Sequence, residues 1–420
     1  MKQLTTLLLA LLALVLPAAA QRSSHDEIMA DVEKAGGVHY MYPMDQPAPT
    51  KAPKGYKPFY ISHLGRHGAR FALGSTVYTD LWNVLSSAHE KGLLTAQGQT
   101  LYTAYARLYP LVEKREGNLT LKGQEQHRYI ASQMIRNYPA VFKGNTRAEA
   151  ISTGVHRVIV SMYSCLDQLD TQDRSFTFTA DYGYPYQAYL LPPIIDVPTV
   201  WPEEVVAKYH ALIEETARPA QLLAKWFTDA PALVENPYKF CADLHTVVST
   251  LDNLAAQVPE ELTQVFTPEE RYRLWFVDNY SLYMRLGMSP EVPNIRPESM
   301  KALWQDIVEK ADVACSGGPV QLNLRFAHDS SLMPILSLLD INGMGVRSAD
   351  PAVVADAWRT YNIPMACNLQ LVFFRSRRNA DILVQVLLNG REATLPLPMA
   401  APGSFYRWAD VRAHYAALLP

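Results

Sequence analysis

The pattern of apolar and polar positions predicts five β-strands. Alternation is clearest where Val320, Leu322, Leu324 and Phe326 are separated by polar residues, the period of two that places side chains on one face of a strand. Short apolar runs bounded by polar or glycine-containing segments indicate the others. The predicted strands are residues 58–62, a strand that ends in the segment 149–153, residues 320–326, residues 368–374 and residues 381–388.

Helical periodicity occupies much of the chain between these strands. Apolar residues recur at the spacing of one helix face in residues 81–88, 101–112, 158–169 and 332–339. Residues 185–310 are rich in aromatic residues and in Pro-containing turns and show little alternation, which predicts a mainly helical insertion. Strands separated by long helical segments predict an α/β fold with a mostly parallel sheet, whose ligands bind at the carboxyl ends of the strands.

The length of the chain predicts more than one structural unit. The 420 residues, of which about 400 would remain after removal of a signal peptide, exceed what a single hydrophobic core usually organises. We expect an α/β core formed by residues 21–184 and 311–420, and a cap formed by residues 185–310. Residues 21–57 are polar and rich in Pro and Gly, so we expect them to form an arm over the surface.

The N-terminal residues predict export. Lys2 precedes an apolar run from Leu4 to Pro17, and residues 18–20 are alanines that stand before a polar segment. This is the layout of a signal peptide, residues 1–20, and the run is short for a membrane span. We therefore expect a periplasmic or extracellular protein with no stable membrane insertion after the signal is removed. An uncleaved N-terminal anchor is the alternative.

Charge and cysteine content narrow the possible partners. The formal net charge is −3, so no global positive field would attract nucleic acid, and an anionic ligand must be recognised by a few arginines gathered locally. Cys165, Cys241, Cys315 and Cys367 lie far apart, without the paired spacing of a zinc ribbon. A buried thiol is expected for Cys165, while the disulfide pairing and the oligomeric state stay open.

The first cluster of chemical interest is the segment Arg66-His67-Gly68-Ala69-Arg70. Two guanidinium groups flank one imidazole in a predicted loop that glycine allows to approach a ligand closely. The N–H groups of Arg66 and Arg70 suit the three equatorial oxygens of a phosphoryl group. His67 can attack phosphorus directly, which divides a hydrolysis into two easier displacements.

His67 has two other interpretations. His63 and His67 have the i, i+4 spacing of a zinc-binding pair, but Gly65 and Gly68 disfavour the helix that such a pair needs, and no H-E-x-x-H motif is present. A histidine with a purely structural role is the other alternative. We expect no metal and no other cofactor, because the proposed nucleophile, phosphate ligands and acid are all side chains.

His328 and Asp329 follow the third predicted strand. A carboxylic acid near His67 would protonate the alkoxide that leaves after the attack, and His328 would donate a hydrogen bond to a phosphate oxygen. Asp329 could instead cap the helix that follows it. Arg157, in the first turn of a predicted helix, is a further phosphate ligand, and an exposed helix arginine is its alternative.

Taken together, these clusters resemble the histidine acid phosphatase branch of the histidine phosphatase superfamily. The resemblance is closest to the multiple inositol polyphosphate phosphatases and their exported bacterial relatives. The stretches that carry it are R-H-G-A-R at 66–70, L-T-L-K-G at 119–123 with Gln126 and His127, residues 152–161, A-H-D at 327–329, and N-G-R-E at 389–392.

This resemblance implies a fold and a set of roles. The fold would be a three-layer α/β/α core, like that of phosphoglycerate mutase, with a smaller, mainly helical cap. His67 would be the nucleophile that becomes phosphorylated, and Asp329 would be the general acid. The groups that hold the substrate phosphate would be Arg66, Arg70, Arg157 and His328.

Two departures from the family limit what can be said of the substrate. Phe71 follows the first motif, where many phytases have proline, and Ser330 stands where inositol polyphosphate phosphatases often have glutamate. We therefore expect hydrolysis of a small-molecule phosphomonoester, with inositol polyphosphates such as phytate as a narrower hypothesis. The alternatives are a broad-specificity acid or sugar phosphatase, a phosphoglycerate mutase-like phosphotransferase, and a non-catalytic protein that binds phosphorylated ligands.

Overall fold

The computed structural model describes residues 22–172, 175–192, 201–254 and 257–419. The predicted signal peptide, residues 1–20, lies outside the described residues. Within these ranges, no helix is long and apolar enough to cross a membrane.

One mixed β-sheet forms the centre of the described structure. Its order is β3-β2-β4-β1-β5-β6-β7, with β8 paired to β6. The strands are β1 (Tyr56–Arg66), β2 (Arg147–Ser152), β3 (Thr177–Tyr182), β4 (Leu322–Ala327), β5 (Asn368–Ser376), β6 (Leu383–Leu388), β7 (Arg391–Glu392) and β8 (Phe405–Arg407). Strands β1 to β4 are mutually parallel, whereas β5 runs antiparallel to β1.

The five predicted strands are all present, with two differences. The sheet is parallel only in its β3-β2-β4-β1 half: β5 runs antiparallel to β1, and the short connections after β5 and β6 favour antiparallel pairing of β5 with β6 and of β6 with β7. Strand β1 also extends beyond the predicted end at residue 62. The prediction of a loop over residues 63–66 was wrong, because Leu64 and Gly65 pair with β4 and keep the strand extended.

Helices cover both faces of the sheet and build a separate helical layer. They are α1 (Ser24–Ala30), α2 (Val77–Glu90), α3 (Ala96–Val112), α4 (Leu121–Asn137), α5 (His156–Gln172), α6 (Tyr184–Leu190), α7 (Glu203–Leu212), α8 (Pro219–Trp226), α9 (Pro237–Ser249), α10 (Pro268–Leu286), α11 (Ile295–Ser299), α12 (Lys301–Cys315), α13 (Asp329–Leu338), α14 (Pro351–Ala357) and α15 (Trp408–His414).

The alternation of side chains along the strands separates two hydrophobic cores. Ile61, Leu324 and Val372 face the side covered by α4 and α5. Leu64 and Phe373 face the opposite side, covered by α12, α13 and α15. The sheet therefore lies between two helical layers, as the predicted α/β/α core requires.

A third hydrophobic core lies within the helical layer. It joins α2 and α3 to α8, α9 and α10 through side chains such as Leu81, Leu101, Trp226, Leu244 and Val277. Helices α8, α9 and α10 come from the predicted cap segment, residues 185–310, but α2 and α3 precede β2 in the chain and lie outside that segment. The bounds of the predicted core and cap segments stay a prediction.

The N-terminal segment contacts both the helical layer, through Arg271, and the end of β1, through the hydrogen bond from Arg66 to the carbonyl oxygen of Val38. Glu27 forms an ion pair with Arg359, and Glu33 forms one with Arg271 on α10. The segment is an arm, as expected, but residues 35–38 are buried rather than on the surface. The arm therefore contributes to the interior beside the end of β1.

Candidate active site

The three polar clusters meet at one edge of the sheet. Strands β2, β4 and β1 are parallel neighbours, so their carboxyl ends lie side by side. Arg66 ends β1, and its guanidinium Nη2 lies 2.7 Å from a carboxylate oxygen of Asp329, which follows β4. The ring centres of His67 and His328 are 5.7 Å apart. Arg157, just after β2, is close enough to lower the pKa of both histidines.

The ring of His67 is placed for nucleophilic attack. It is 1% exposed, and its Nδ1 donates to the carbonyl oxygen of Gly68 at 3.0 Å. This tautomer leaves the lone pair on Nε2, to which none of the described residues forms a hydrogen bond. Burial, followed by the charges of Arg66 and Arg70, lowers the pKa of His67 well below its ordinary value. The imidazole is therefore neutral, as a nucleophile must be.

Helix α4 holds the loop that follows His67. The backbone N–H of Ala69 donates to Gln126 Oε1 at 2.8 Å, and Thr120 donates to the carbonyl oxygen of Ala69 through its N–H and its hydroxyl. The backbone of the loop approaches the backbone of α4 closely because glycines, Gly68 and Gly123, stand at the point of contact. A Cβ at Gly68 would lie 2.3 Å from the carbonyl oxygen of Gly123. No other residue type allows this approach.

Arg66 is fully buried and bound to protein groups. Its Nη2 donates to Asp329, and its Nη1 donates to the carbonyl oxygens of Val38 and of Ile363, the latter at 3.0 Å. Its Nε has no hydrogen-bond partner. The arginine is thus rigidly placed, and part of its hydrogen-bonding capacity remains for a ligand.

Arg70 and Arg157 form no ion pair with any carboxylate of the described residues, although Asp329, which is paired with Arg66, lies near enough to act on the pKa of both. Arg70 is 3% exposed, and the one hydrogen bond of its guanidinium to a described residue runs from Nη1 to the carbonyl oxygen of Phe71. Burial, followed by the charge of Arg66, lowers the pKa of Arg70 to about 9. Arg157 is partly buried, and its Nε has no partner. One carboxylate, Asp329, therefore faces three arginines, and because incompletely compensated buried charges are costly, this excess of positive charge suits an anionic ligand.

His328 is the N-terminal cap residue of α13. Its Nε2 lies 3.1 Å from the hydroxyl oxygen of Thr153, and burial together with the charge of Arg157 lowers its pKa to about 3. The ring is therefore neutral. When the Thr153 hydroxyl donates to Nε2, the proton is on Nδ1, which can then donate to a phosphate oxygen.

Asp329 is an ionised carboxylate in the ligand-free site. Burial would raise its pKa, but the charges of Arg66 and Arg70 lower it well below its ordinary value. Its Oδ1 accepts the backbone N–H of Ser330 at 2.7 Å, a contact to the adjacent residue rather than the usual capping of a helix. If Asp329 is to donate a proton, it must therefore first become protonated, which requires an anionic ligand that offsets the positive charges of the arginines.

Several neighbouring residues were not among the predicted site residues. The N-terminal arm places His39 in this cluster, where burial and then Arg70 lower its pKa to about 3. Arg296 donates from Nε to the carbonyl oxygen of Ser330 at 3.1 Å. Ser161, whose hydroxyl accepts the N–H of Gly68 at 3.1 Å, lay within a stretch that carried the family resemblance. No local pattern marks His39 or Arg296, because only chain packing brings them here.

The zinc-pair interpretation finds no support in the geometry. His63 and His67 lie on an extended strand and the loop after it, not on a helix. Among the residues that the structure describes, no group of three or more His, Cys, Asp or Glu side chains is arranged to hold a metal ion.

The comparisons with known proteins concern the fold. No family model and no curated protein sequence matches the chain. The multiple inositol polyphosphate phosphatase of Bifidobacterium longum, in complex with inositol hexasulfate, is 17% identical with a TM-score of 0.71, over 92% of this chain and 97% of that one. The phytase from D. castellii is 14% identical with a TM-score of 0.69, over 92% and 85%. The Citrobacter braakii phytase is 12% identical with a TM-score of 0.55, over 87% and 98%.

These matches span almost the whole chain and almost the whole of each solved protein, so the likeness includes the sheet and the helical layer together. The sequence motifs and the three-dimensional fold agree, since the resemblance was to the histidine acid phosphatases. The predicted fold is confirmed: this chain has the fold of the multiple inositol polyphosphate phosphatases and phytases.

Proposed function

We propose that the protein hydrolyses phosphomonoesters through a phosphohistidine at His67. The observation that supports this most strongly is a neutral imidazole whose Nε2 has no hydrogen bond to a described residue, beside two cations, Arg70 and Arg157, that form no ion pair with a described carboxylate. An ester phosphate is an anion that could occupy this position, and its phosphorus is an electrophile for Nε2.

The proposed reaction has two steps. His67 Nε2 forms a bond to phosphorus while the ester oxygen leaves and takes a proton from Asp329. Water then attacks the phosphohistidine, the P–N bond breaks, and the Asp329 carboxylate accepts a proton from that water. Arg66, Arg70, Arg157 and the Nδ1–H of His328 would stabilise the phosphoryl oxygens in both steps.

The bound phosphate would also prepare the acid. Its negative charge opposes the effect of Arg66 and Arg70 on Asp329, so the pKa of Asp329 rises when the ester is bound. We therefore propose an acidic to mildly acidic optimum. A turnover rate that rises steadily above neutral pH would contradict this.

Inositol polyphosphates are the proposed substrate class. The support is the fold shared with phytases and with a multiple inositol polyphosphate phosphatase whose structure holds inositol hexasulfate. We also propose that the protein is exported and that its mature form begins near Gln21, after the alanines at 18–20. Mass spectrometry of the secreted protein would contradict this if Met1 were retained.

The decisive experiment is phosphate release by the parent, by His67→Ala and by the control His89→Ala. His89 is an exposed histidine on α2. We expect His67→Ala to lose at least about 10³-fold in rate on p-nitrophenyl phosphate and inositol hexakisphosphate, and the control to be unchanged. Rapid quenching should trap an acid-labile phosphohistidine in the parent alone.

Other results would support the alternatives. Phosphate binding without turnover would indicate a non-catalytic phospholigand-binding protein. Transfer of the phosphoryl group to an added alcohol in place of water would indicate a phosphotransferase.

A further inference from the structure

A serine of helix α5 connects the loop of the proposed nucleophile to the first turn of that helix. The backbone N–H of Gly68, the residue after His67, donates to Ser161 Oγ at 3.1 Å. The Ser161 hydroxyl donates in turn to the carbonyl oxygen of Arg157 at 2.8 Å. Two hydrogen bonds through one fully buried side chain therefore join the segments that carry His67 and Arg157.

The hydroxyl of Ser161 has no proton left for a substrate. A serine hydroxyl donates one hydrogen bond and can accept two. The carbonyl oxygen of Arg157 can only accept, so the proton of Ser161 points toward it and the N–H of Gly68 binds a lone pair. Ser161 can therefore act on the reaction only through the groups that it connects, as a positioning residue.

The backbone at Gly68 needs such a support. Glycine has no Cβ and adopts more backbone conformations than other residues. Helix α4 holds one side of the loop, through the hydrogen bond from the N–H of Ala69 to Gln126 Oε1 at 2.8 Å. Ser161 supplies the hydrogen bond from α5. Without it, the buried N–H of Gly68 would have no hydrogen-bond partner among the described residues, and the loop would be free to shift relative to α5.

Helix α5 brings Arg157 to the same place. Arg157 and Ser161 have the i, i+4 spacing that places two side chains on one face of a helix, and this face meets the loop after β1. A Cβ at Gly117 would lie 3.6 Å from Arg157 Nη1, and the N–H of Gly117 donates to the carbonyl oxygen of Ala72 at 2.9 Å. The guanidinium of Arg157 therefore lies beside the segment that follows the R-H-G-A-R motif.

We propose that Ser161 is a positioning residue that sets the distance between His67 and Arg157, so that a phosphoryl group held by Arg157 faces Nε2 of His67. This rests on the proposed function, in which His67 attacks a phosphate that Arg157 helps to bind. In the absence of the Ser161 hydroxyl, the arginines still bind phosphate. The transfer of the phosphoryl group is slowed, because it depends on the alignment of Nε2 with phosphorus.

Helix α5 also supplies a matched control, Ser164. Its hydroxyl donates to the carbonyl oxygen of Val160 at 2.8 Å, the same bond to the preceding turn that Ser161 makes, and its side chain is also buried. Among the described residues, no hydrogen bond joins the Ser164 hydroxyl to another element. Ser164→Ala therefore reproduces the local change in the helix and leaves the link to the His67 loop intact.

The test compares the parent, Ser161→Ala and Ser164→Ala in two measurements. Single-turnover quenching with p-nitrophenyl phosphate gives the rate of phosphohistidine formation, corrected for the folded fraction, and calorimetry gives the Kd of inorganic phosphate. Since a displacement of about 1 Å can cost on the order of 10²-fold in rate, we expect Ser161→Ala to slow the transfer roughly 10–100-fold. The Kd should change by less than about threefold, and Ser164→Ala should change neither quantity.

A double-mutant cycle with Arg157→Ala separates positioning from general support of the loop. When the guanidinium of Arg157 is absent, its distance from His67 no longer matters, so adding Ser161→Ala should slow the transfer by less than about a further threefold. Losses that multiply in full would show that Ser161 supports the loop independently of Arg157, and would overturn the proposal. If Ser161→Ala does not fold, Ser161→Cys takes its place, because a thiol fills a similar space and accepts a hydrogen bond only weakly.

The two proposals fail in different ways. A Ser161→Ala protein that forms phosphohistidine at the rate of the parent would overturn the role of Ser161 and leave the proposed function intact. An equal loss of rate in Ser164→Ala would assign the effect to the helix rather than to the link, with the same consequence. If the folded parent released phosphate from no ester, the proposed function would fail, and with it the transfer step that Ser161 is proposed to assist.

Discussion

The ion pair between Arg66 and Asp329 sets the protonation state of the proposed acid. In the ligand-free site the carboxylate is ionised, because the arginines outweigh the effect of burial on its pKa. The acid can therefore act only when a bound anion competes for the same positive charges. In the proposed mechanism, Asp329 is therefore the residue at which phosphate binding and proton transfer are coupled.

Asp329→Asn should separate two kinds of substrate. The leaving alkoxide of an inositol or sugar phosphate is strongly basic, so the loss of the proton donor should slow these esters by roughly 10²–10⁴-fold. The p-nitrophenolate anion leaves with little help, and phosphohistidine should still form from the aryl ester. Steady-state rates on both esters would measure this, and equal losses in a folded variant would show that the acid lies elsewhere.

Arg70→Met should weaken phosphate binding without lowering the free energy of unfolding of the ligand-free protein. The methionine has a similar shape and removes a buried charge that forms no ion pair with a described carboxylate. The free energy of unfolding of the ligand-free protein should therefore stay the same or rise by about 1–2 kcal/mol. Phosphate should raise the melting temperature of the parent and of the exposed-residue control Arg378→Met, but not that of Arg70→Met.

Urea unfolding and thermal melts with and without phosphate would check this prediction. A ligand-free Arg70→Met protein that is several kcal/mol less stable than the parent would show that Arg70 stabilises the fold rather than a bound anion.

Two helices of the protein begin with the same arrangement. In α3 and α4, a threonine accepts the N–H of a glycine three residues later: Thr95 with Gly98, and Thr120 with Gly123. Each glycine touches backbone of another element. A Cβ at Gly123 would lie 2.3 Å from the carbonyl oxygen of Ala69, and one at Gly98 would lie 2.0 Å from that of Trp226.

Gly123→Ala should therefore damage catalysis more than Gly98→Ala, although both introduce a clash of the same kind. The first must displace the loop that carries His67, and a displacement of about 1 Å can cost on the order of 10²-fold in rate. The second displaces α8, away from the candidate site. Rates corrected for the folded fraction, measured by far-UV circular dichroism, would test this, and equal effects on kcat/KM would contradict it.

The elements also show which parts of the fold could be predicted. The positions of β4 and α5 follow from the periodic spacing of their apolar residues, which is visible in each segment of the sequence without knowledge of the rest. The extension of β1 through His63 to Arg66 could not be predicted, because glycine and charged residues favour a loop unless a neighbouring strand pairs with them. The antiparallel direction of β5 likewise depends on its partner.

Buried histidines should make the whole molecule sensitive to acid. His63 is 1% exposed, neither ring nitrogen has a hydrogen-bond partner among the described residues, and burial lowers its pKa to about 3. The unfolded chain therefore binds more protons than the native state between about pH 6.5 and pH 3. The free energy of unfolding should fall as the pH decreases through this window.

His63→Leu should reduce that dependence on pH, because it removes one group that is protonated on unfolding. The exposed-histidine control His210→Leu should keep the slope of the parent. Urea titrations at several pH values would measure the slopes, and identical slopes for His63→Leu and the parent would refute the assignment.

The sequence by itself determined the chemical groups at the site, the strands that precede them and the α/β character of the fold. These depend on residue types and on the local spacing of apolar side chains, which any short segment carries. Only the tertiary structure decided that Arg66 pairs with Asp329, 263 positions away, that Arg70 forms no ion pair with a described carboxylate, and that His39 lies beside the site. These contacts join segments far apart in the chain, and no pattern within one segment reports where another will pack.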